Sequence, residues 1–325
     1  MSVTALNTYL APLQHLFDET GIQEISINRP GEAWVERMGD LAYEAIPEFT
    51  LEHMRALAQL IAQSTSQSIS EEKPLLSANL PGGYRIQIVI PPACDAGVVM
   101  SIRKQTTLSM DLNKYAALGA FDNTRTGTKQ IDPADVLLGE LYAAGKAQEF
   151  IAQAVKAKKN IIISGGTSTG KTTFMNAALK ELPPTERILT VEDVREVNVE
   201  HIPNRVHLLA SKGGQGRANV TTQNLIEACL RMRPDRIIVG ELRGAEAFSY
   251  LRAVNTGHPG SIATLHADSP VLAIEQLILM IMQADLGITR DQIKEYVESV
   301  IQVIIQLKRG EKGRRYVSEI YYKPM

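Results

Sequence analysis

Apolar positions along the chain keep two different rhythms, one before about residue 104 and one after about residue 148. In the first stretch Leu6, Leu10, Leu13, Leu16 and Phe17 recur at helical spacing, and Met54, Leu57, Leu60 and Ile61 mark a second helix behind the capping residue Thr50. Between and after them, 24–27, 33–36, 85–90 and 98–102 read as short alternating strands. Strands and helices without regular β-α-β order predict an α+β domain over residues 1–104.

Residues 105–147 carry little strand character and several turn formers, among them Asn113, Gly119, Asn123, Gly127 and Asp132-Pro133. They predict a linker with two short helices, long enough to signal either function or freedom between domains. From Gln148 the signals alternate: strands at 160–164, 187–191, 206–210, 236–239 and 261–265, and helices near 149–158, 172–182, 222–231, 245–255, 270–284 and 289–301. That order predicts an α/β domain over 148–325. The unbroken apolar run Ile237-Ile238-Val239 predicts a strand buried on both faces. Stretches 303–308 and 315–322 read as a hairpin turned at Gly310 to Gly313.

Chemistry enters where the first of those strands ends. Gly165-Gly166-Thr167-Ser168-Thr169-Gly170-Lys171-Thr172 fits G-x-x-x-x-G-K-[ST], between a β-branched strand and a helix that opens at Thr172-Thr173. Glycines let backbone N–H groups converge on a polyphosphate, Lys171 reaches the β- and γ-phosphates, and the Thr172 hydroxyl can ligate Mg²⁺. A nucleoside triphosphate is the expected ligand, with ATP and Mg²⁺ the cofactor assignment.

Hydrolysis also needs an acid near the metal and the attacking water. Glu241, in Val239-Gly240-Glu241 at the end of a strand, is the first choice. A second acidic cluster, Glu192-Asp193-Val194-Arg195-Glu196, follows another strand and places Glu192, with Glu196 beside it, near metal and water. His258 and His266 bracket a further strand, and no cysteine stands near enough to complete a zinc site. The Gly-rich basic segment 212–217 lacks the helix-leading spacing of a second nucleotide loop and reads as a flexible rim.

Composition narrows the class. At 325 residues the chain exceeds one comfortable core, which favours two domains. Formal net charge is −2, so no global basic field recruits nucleic acid, and sequence-specific nucleic-acid binding is not expected. Two isolated cysteines form no disulfide framework. A reducing cytoplasm fits, and the N-terminal stretch lacks the basic flank of a secretory signal. The apolar stretch 272–282 contains Glu275 and is too short to span a bilayer, so any membrane association is expected to be peripheral.

P-loop, acidic box, Gly-Glu strand ending and the histidine box Thr256–His266 stand in the order of the secretion traffic ATPase superfamily, which the chain resembles. The likeness is strong over the C-terminal half; in the N-terminal half it rests on 82–87 and 100–104. In the run 230–236 and the compact N-terminal domain it is most similar to the hexameric ATPase of type IV secretion, and its two cysteines cannot build the four-cysteine zinc module that characterises type II secretion ATPases. The resemblance implies a RecA-like P-loop domain, a catalytic set of Lys171, Glu241, Glu192 and His266, and metal contacts from Thr172, Glu192 and Glu241. It further implies that Arg85 and Arg103 of the N-terminal domain grip nucleotide phosphates, as bidentate guanidinium groups can. Six copies would form a ring and work with other components of a membrane secretion apparatus, at or near the inner membrane. A pilus assembly or retraction motor and a DNA-handling RecA-like ATPase are the rival readings. Arg231, Arg233, Arg236 and Arg243 are unranked candidates for contacts between subunits, and the long linker suggests that each N-terminal domain packs over an adjacent subunit.

Overall fold

Pro12 interrupts the first helical rhythm, because its nitrogen has no hydrogen to donate. The chain starts with α1 (Val3–Leu10), a 3-10 turn and α2 (Gln14–Asp18). There follow β1 (Ile22–Ile27), β2 (Glu32–Arg37), β3 (Asp40–Ala45), α3 (Leu51–Ser64), β4 (Leu75–Asn79), β5 (Arg85–Val89) and β6 (Val99–Arg103). Thr50 caps α3 by accepting from the His53 N–H. The computed structural model describes residues 3–104, 111–122, 124, 132–211 and 218–324, so the Gly-rich segment 212–217 lies outside the described residues.

The six strands form an antiparallel sheet in the order β3-β2-β1-β6-β5-β4. Edge strands β3 and β4 were not apparent in the sequence, since most of their side chains are at least partly exposed and leave no apolar alternation. One sheet face is apolar: Ile25, Ile27, Val35, Ile86, Ile88, Met100 and Ile102 join Leu13, Leu16, Met54 and Leu57 of the covering helices.

The chain continues with α4 (Leu112–Ala117), α5 (Pro133–Ala143), α6 (Ala147–Lys156), β7 (Ile161–Gly165), α7 (Lys171–Leu179), β8 (Ile188–Glu192), β9 (Arg205–Leu209) and α8 (Thr222–Cys229). Then come β10 (Arg236–Val239), α9 (Glu246–Asn255), β11 (Ile262–Leu265), α10 (Pro270–Met282), α11 (Arg290–Val300), β12 (Val303–Arg309) and β13 (Arg315–Tyr322). The seven-stranded sheet of the second domain runs β13-β12-β7-β11-β10-β8-β9, parallel except for β13. Alternate residues of the same strands feed two cores. Ile162, Leu189, Ile237 and Val239 face α8 to α11, while Ile161, Ile163, Ile188 and Ile238 face α5 to α7. The expected doubly buried strand is thereby accounted for.

Helix α5 belongs to this domain rather than to a linker. Leu138 is fully buried, and Asp135 pairs with Lys159 at 2.7 Å and accepts from the Tyr322 hydroxyl at 2.7 Å. The domain therefore starts near Asp132, 16 residues before the expected boundary at 148; the anchoring partners lie too far along the chain to be read locally. By contrast α4 buries none of its side chains.

The free face of the N-terminal sheet meets the second domain along a graded seam. Cross-strand register puts Glu36, Glu24, Arg103 and Arg85 in one row and Ser26, Ser101, Gln87 and Ser77 in the next. Beyond them Val89 and Val99 enter the core of the second domain with Cys94. The seam is thus apolar at one end and charged at the other. At its centre Arg187 is fully buried, donating to Asn28 at 2.6 Å, to the Met232 carbonyl at 2.9 Å and to Asn204. Arg233 bridges to Glu36 at 2.6 Å.

Candidate active site

The loop after β7 and the ends of β8, β10 and β11 surround an open cleft of about 790 Å³. In open parallel sheets ligands bind at the carboxyl ends of strands, which is where this cleft stands. Gly170 adopts a left-handed conformation with φ of 86°, a turn that suits glycine, and hands the chain directly into α7. At Gly165 any Cβ would stand 2.5 Å from Thr169 Oγ1 and 2.9 Å from the Leu307 carbonyl, so glycine is required there. Gly166, Lys171 and Thr172 complete the motif, and residues 167 to 173 all line the cleft.

Lys171 Nζ donates to the carbonyls of Gly165 at 3.0 Å and Gly166 at 3.3 Å, and lies 3.3 Å from His266 Nδ1. Burial pulls its pKa below the usual lysine range, with the nearby Glu241 opposing the shift. The other ring nitrogen of His266 lies 2.7 Å from Glu241 Oε1. Glu241 Oε2 accepts from Arg243 at 2.6 Å, and Arg243 also pairs with Asp193. Three residues expected from separate motifs, Lys171, His266 and Glu241, form one continuous set of contacts.

Gly240 is small because the Glu192 side chain runs across it: a Cβ there would meet Glu192 Cγ at 3.2 Å. Thr264 donates to the Gly240 carbonyl at 2.6 Å and fixes the backbone that carries Glu241. Glu192 Oε1 accepts from the N–H groups of Glu196 at 2.8 Å and Val197 at 2.7 Å. Burial raises the Glu192 pKa, and those backbone donors oppose it. Glu192 therefore organises the acidic loop with one oxygen already committed. Among the described residues no three His, Cys, Asp or Glu gather closely enough to hold a metal by themselves.

The remaining sequence candidates separate clearly. Arg236 is fully buried, paired with both oxygens of Glu186 and bonded to the Val155 carbonyl, which leaves it no reach to a neighbour. His258 Nδ1 lies 2.7 Å from the Pro234 carbonyl and burial lowers its pKa, so it acts as a neutral structural pin outside the cleft. Arg233 belongs to the seam, Arg243 to the cleft. Arg85 and Arg103 do not line the nucleotide cleft of their own chain; with Arg231 they face a separate groove of about 380 Å³ at the charged end of the seam. Sequence reasoning missed Thr264 and Arg315, both of which line the cleft; only the basic density of the hairpin hinted at the second.

A parallel sheet with a P-loop after one strand and a held glutamate two strands away defines a P-loop nucleotide hydrolase. The chain belongs to the Type II/IV secretion system protein family, whose model matches residues 7–319. VirB11 of Bartonella henselae is 40% identical over 99% of this chain and 94% of that protein. The PtlH homolog of Bordetella bronchiseptica is 39% identical over 98% and 95%. Among solved structures, the VirB11 ATPase from the Brucella suis type IV secretion system, in complex with sulphate, superimposes with a TM-score of 0.92 at 36% identity, covering 98% of each chain. The cleft is accordingly that of a secretion-family ATPase.

Proposed function

We propose that this chain is a Mg²⁺-dependent ATPase that powers a type IV secretion apparatus as a ring of six copies. The observation that carries the reading is the contact set Lys171–His266–Glu241–Arg243 at the mouth of the P-loop. Lys171 exchanges its resting contacts on Gly165 and Gly166 for the β- and γ-phosphates, where its charge offsets that of the transferring group. Glu241, held from two sides, orients the water that attacks the γ-phosphorus as the bond to the bridging oxygen breaks. His266 and Arg243 keep the carboxylate aimed. The donor set fits a magnesium ion, which the Thr172 hydroxyl would hold together with the nucleotide, with Glu192 and Glu241 as the acidic groups facing it. When bound, that ion neutralises charge on the β- and γ-phosphates.

Arg85 and Arg103 reach the phosphates of a neighbouring copy, in keeping with their place outside their own cleft. Exposed Leu112, Tyr115 and Leu118 of α4 and its following turn offer a surface for that neighbour to cover. The number six rests on the family resemblance. Among the described residues no helix is long and apolar enough to cross a membrane, which suits peripheral attachment to partner components of the apparatus. Phosphate release, salt-titrated DNA binding and light scattering test this together. Expected are Mg²⁺-dependent release, no salt-resistant DNA binding and a particle of six copies with nucleotide. Monomers alone at micromolar protein with nucleotide would refute the ring.

A further inference from the structure

The hairpin between β12 and β13 stands beside the P-loop, although about 140 residues separate them in the chain. Strand β12 runs parallel to β7 with Leu307 opposite Gly165, and β13 folds back with Arg315 opposite Arg309. The turn therefore projects from the carboxyl end of β7, where the P-loop begins. Its residues 308–315 include Lys308, Arg309, Lys312, Arg314 and Arg315 against the single acid Glu311. None of these five cations makes an ion pair among the described residues.

One of them enters the cleft. Arg315 lines it together with Lys171, and its side chain lies across Gly170: a Cβ built there would meet Arg315 Cδ at 2.8 Å and its guanidinium nitrogens at 3.4 Å. The arm thus packs directly against the Gly170 backbone. The guanidinium rests beside the amino end of α7, where the helix dipole is positive, and in the same cleft as the Lys171 ammonium. Glu192, Asp193, Glu196 and Glu241 line the same cleft, yet none of them pairs with Arg315, so this permanent cation is free to meet an incoming anion.

We propose that Arg315 is a nucleotide-binding residue that donates to phosphate oxygens of the nucleotide held by the P-loop of its own chain. The inference rests on the ATPase reading above, and extends it by adding a second cation from the same chain to the polyphosphate. It differs from the contacts of Arg85 and Arg103, which come from a neighbouring copy. Because Arg315 is exposed and its side chain makes no hydrogen bond or ion pair among the described residues, its removal leaves the fold standing; Gly170 and α7 are untouched.

The test compares wild type with Arg315→Ala and Arg315→Lys in the full chain, following displacement of a fluorescent ADP by unlabelled ADP and by inorganic pyrophosphate. A lost charge-assisted contact should weaken both ligands about 10-fold in Arg315→Ala, with partial recovery in Arg315→Lys and a shallower salt dependence. Unchanged affinity, within about twofold for both ligands, overturns the proposal. So does a loss confined to ADP, which would put the guanidinium on the base or ribose. If wild type itself binds neither ligand, the ATPase reading fails first; if wild type binds and the variants match it, only the role of Arg315 falls. Thermal melts of the three proteins should coincide.

Discussion

The nucleotide cleft and the domain seam both collect charged side chains, yet they treat them in opposite ways. In the cleft Lys171, Arg243 and Arg315 reach solvent, and the two acids that matter are held by named donors. In the seam the polar groups at the centre are buried and incompletely satisfied, since Glu24 Oε1, Ser26 Oγ and Asn204 Nδ2 have no hydrogen-bond partner among the described residues, while Arg85 and Arg103 at its charged end stay exposed. Burying an unpaired polar atom costs about 1–3 kcal/mol, and a buried ion pair often fails to recover its desolvation cost. The cleft therefore keeps its cations reachable from solvent, whereas the seam is a joint anchored by Val89 and Val99 at one end and weak at the other. A joint of that kind favours hinge motion about its apolar end, and its charged end carries the two arginines assigned to a neighbour's nucleotide.

The largest effect belongs to the cleft. Lys171→Ala should abolish measurable phosphate release and weaken ATP binding while the melting temperature stays near the parent value, since Lys171 bonds only loop carbonyls and a neighbouring histidine. Near-normal turnover in the folded variant would remove the P-loop from the mechanism.

Next comes the centre of the seam. Arg187→Leu leaves Asn28, Asn204 and the Met232 carbonyl without their buried donor, and breaking such a network typically costs about 3–5 kcal/mol. Chemical denaturation should show that loss. A change below about 1 kcal/mol would mean that the seam is wetter and looser than its geometry implies.

A smaller, pH-dependent effect follows from Glu24. Burial raises its carboxyl from 4.5 to about 7, against the pull of Arg187 and Arg103. A carboxyl with a raised folded pKa favours the fold fully below its unfolded value, and that contribution is lost as pH climbs through about 7. Glu24→Gln should accordingly stabilise the protein by about 1–3 kcal/mol at pH 8 and change little at pH 4.5. Equal effects at both pH values would contradict the assignment.

The same contrast governs how far each region could be read from sequence. The cleft was legible because its parts are local: Gly165–Thr172, Gly240-Glu241 and His266 each stand at the end of a strand whose apolar run announces it. Folding brings these ends side by side through a parallel sheet, so motif order sufficed. The seam was not legible. Glu24, Ser26 and Ser101 read as the solvent face of half-buried strands, and nothing local marks that face as covered by Arg187 from 86 residues beyond Ser101. The docking of helix α5, expected only as a short helix in a linker, escaped for the same reason, with its anchors at Lys159 and Tyr322. Arg315 read only as the first residue of a hairpin strand, because its proximity to Gly170 depends on β12 lying next to β7.

In the proposed cycle Glu241 acts on water rather than on the nucleotide. The most direct test of that role is a paired measurement of ATP affinity and single-turnover hydrolysis in Glu241→Gln. Affinity should stay unchanged, within about twofold, while the rate falls by roughly 10²-fold or more, the pattern of a lost transition-state interaction. A rate within about threefold of the parent, or a parallel loss of ATP binding, would contradict it.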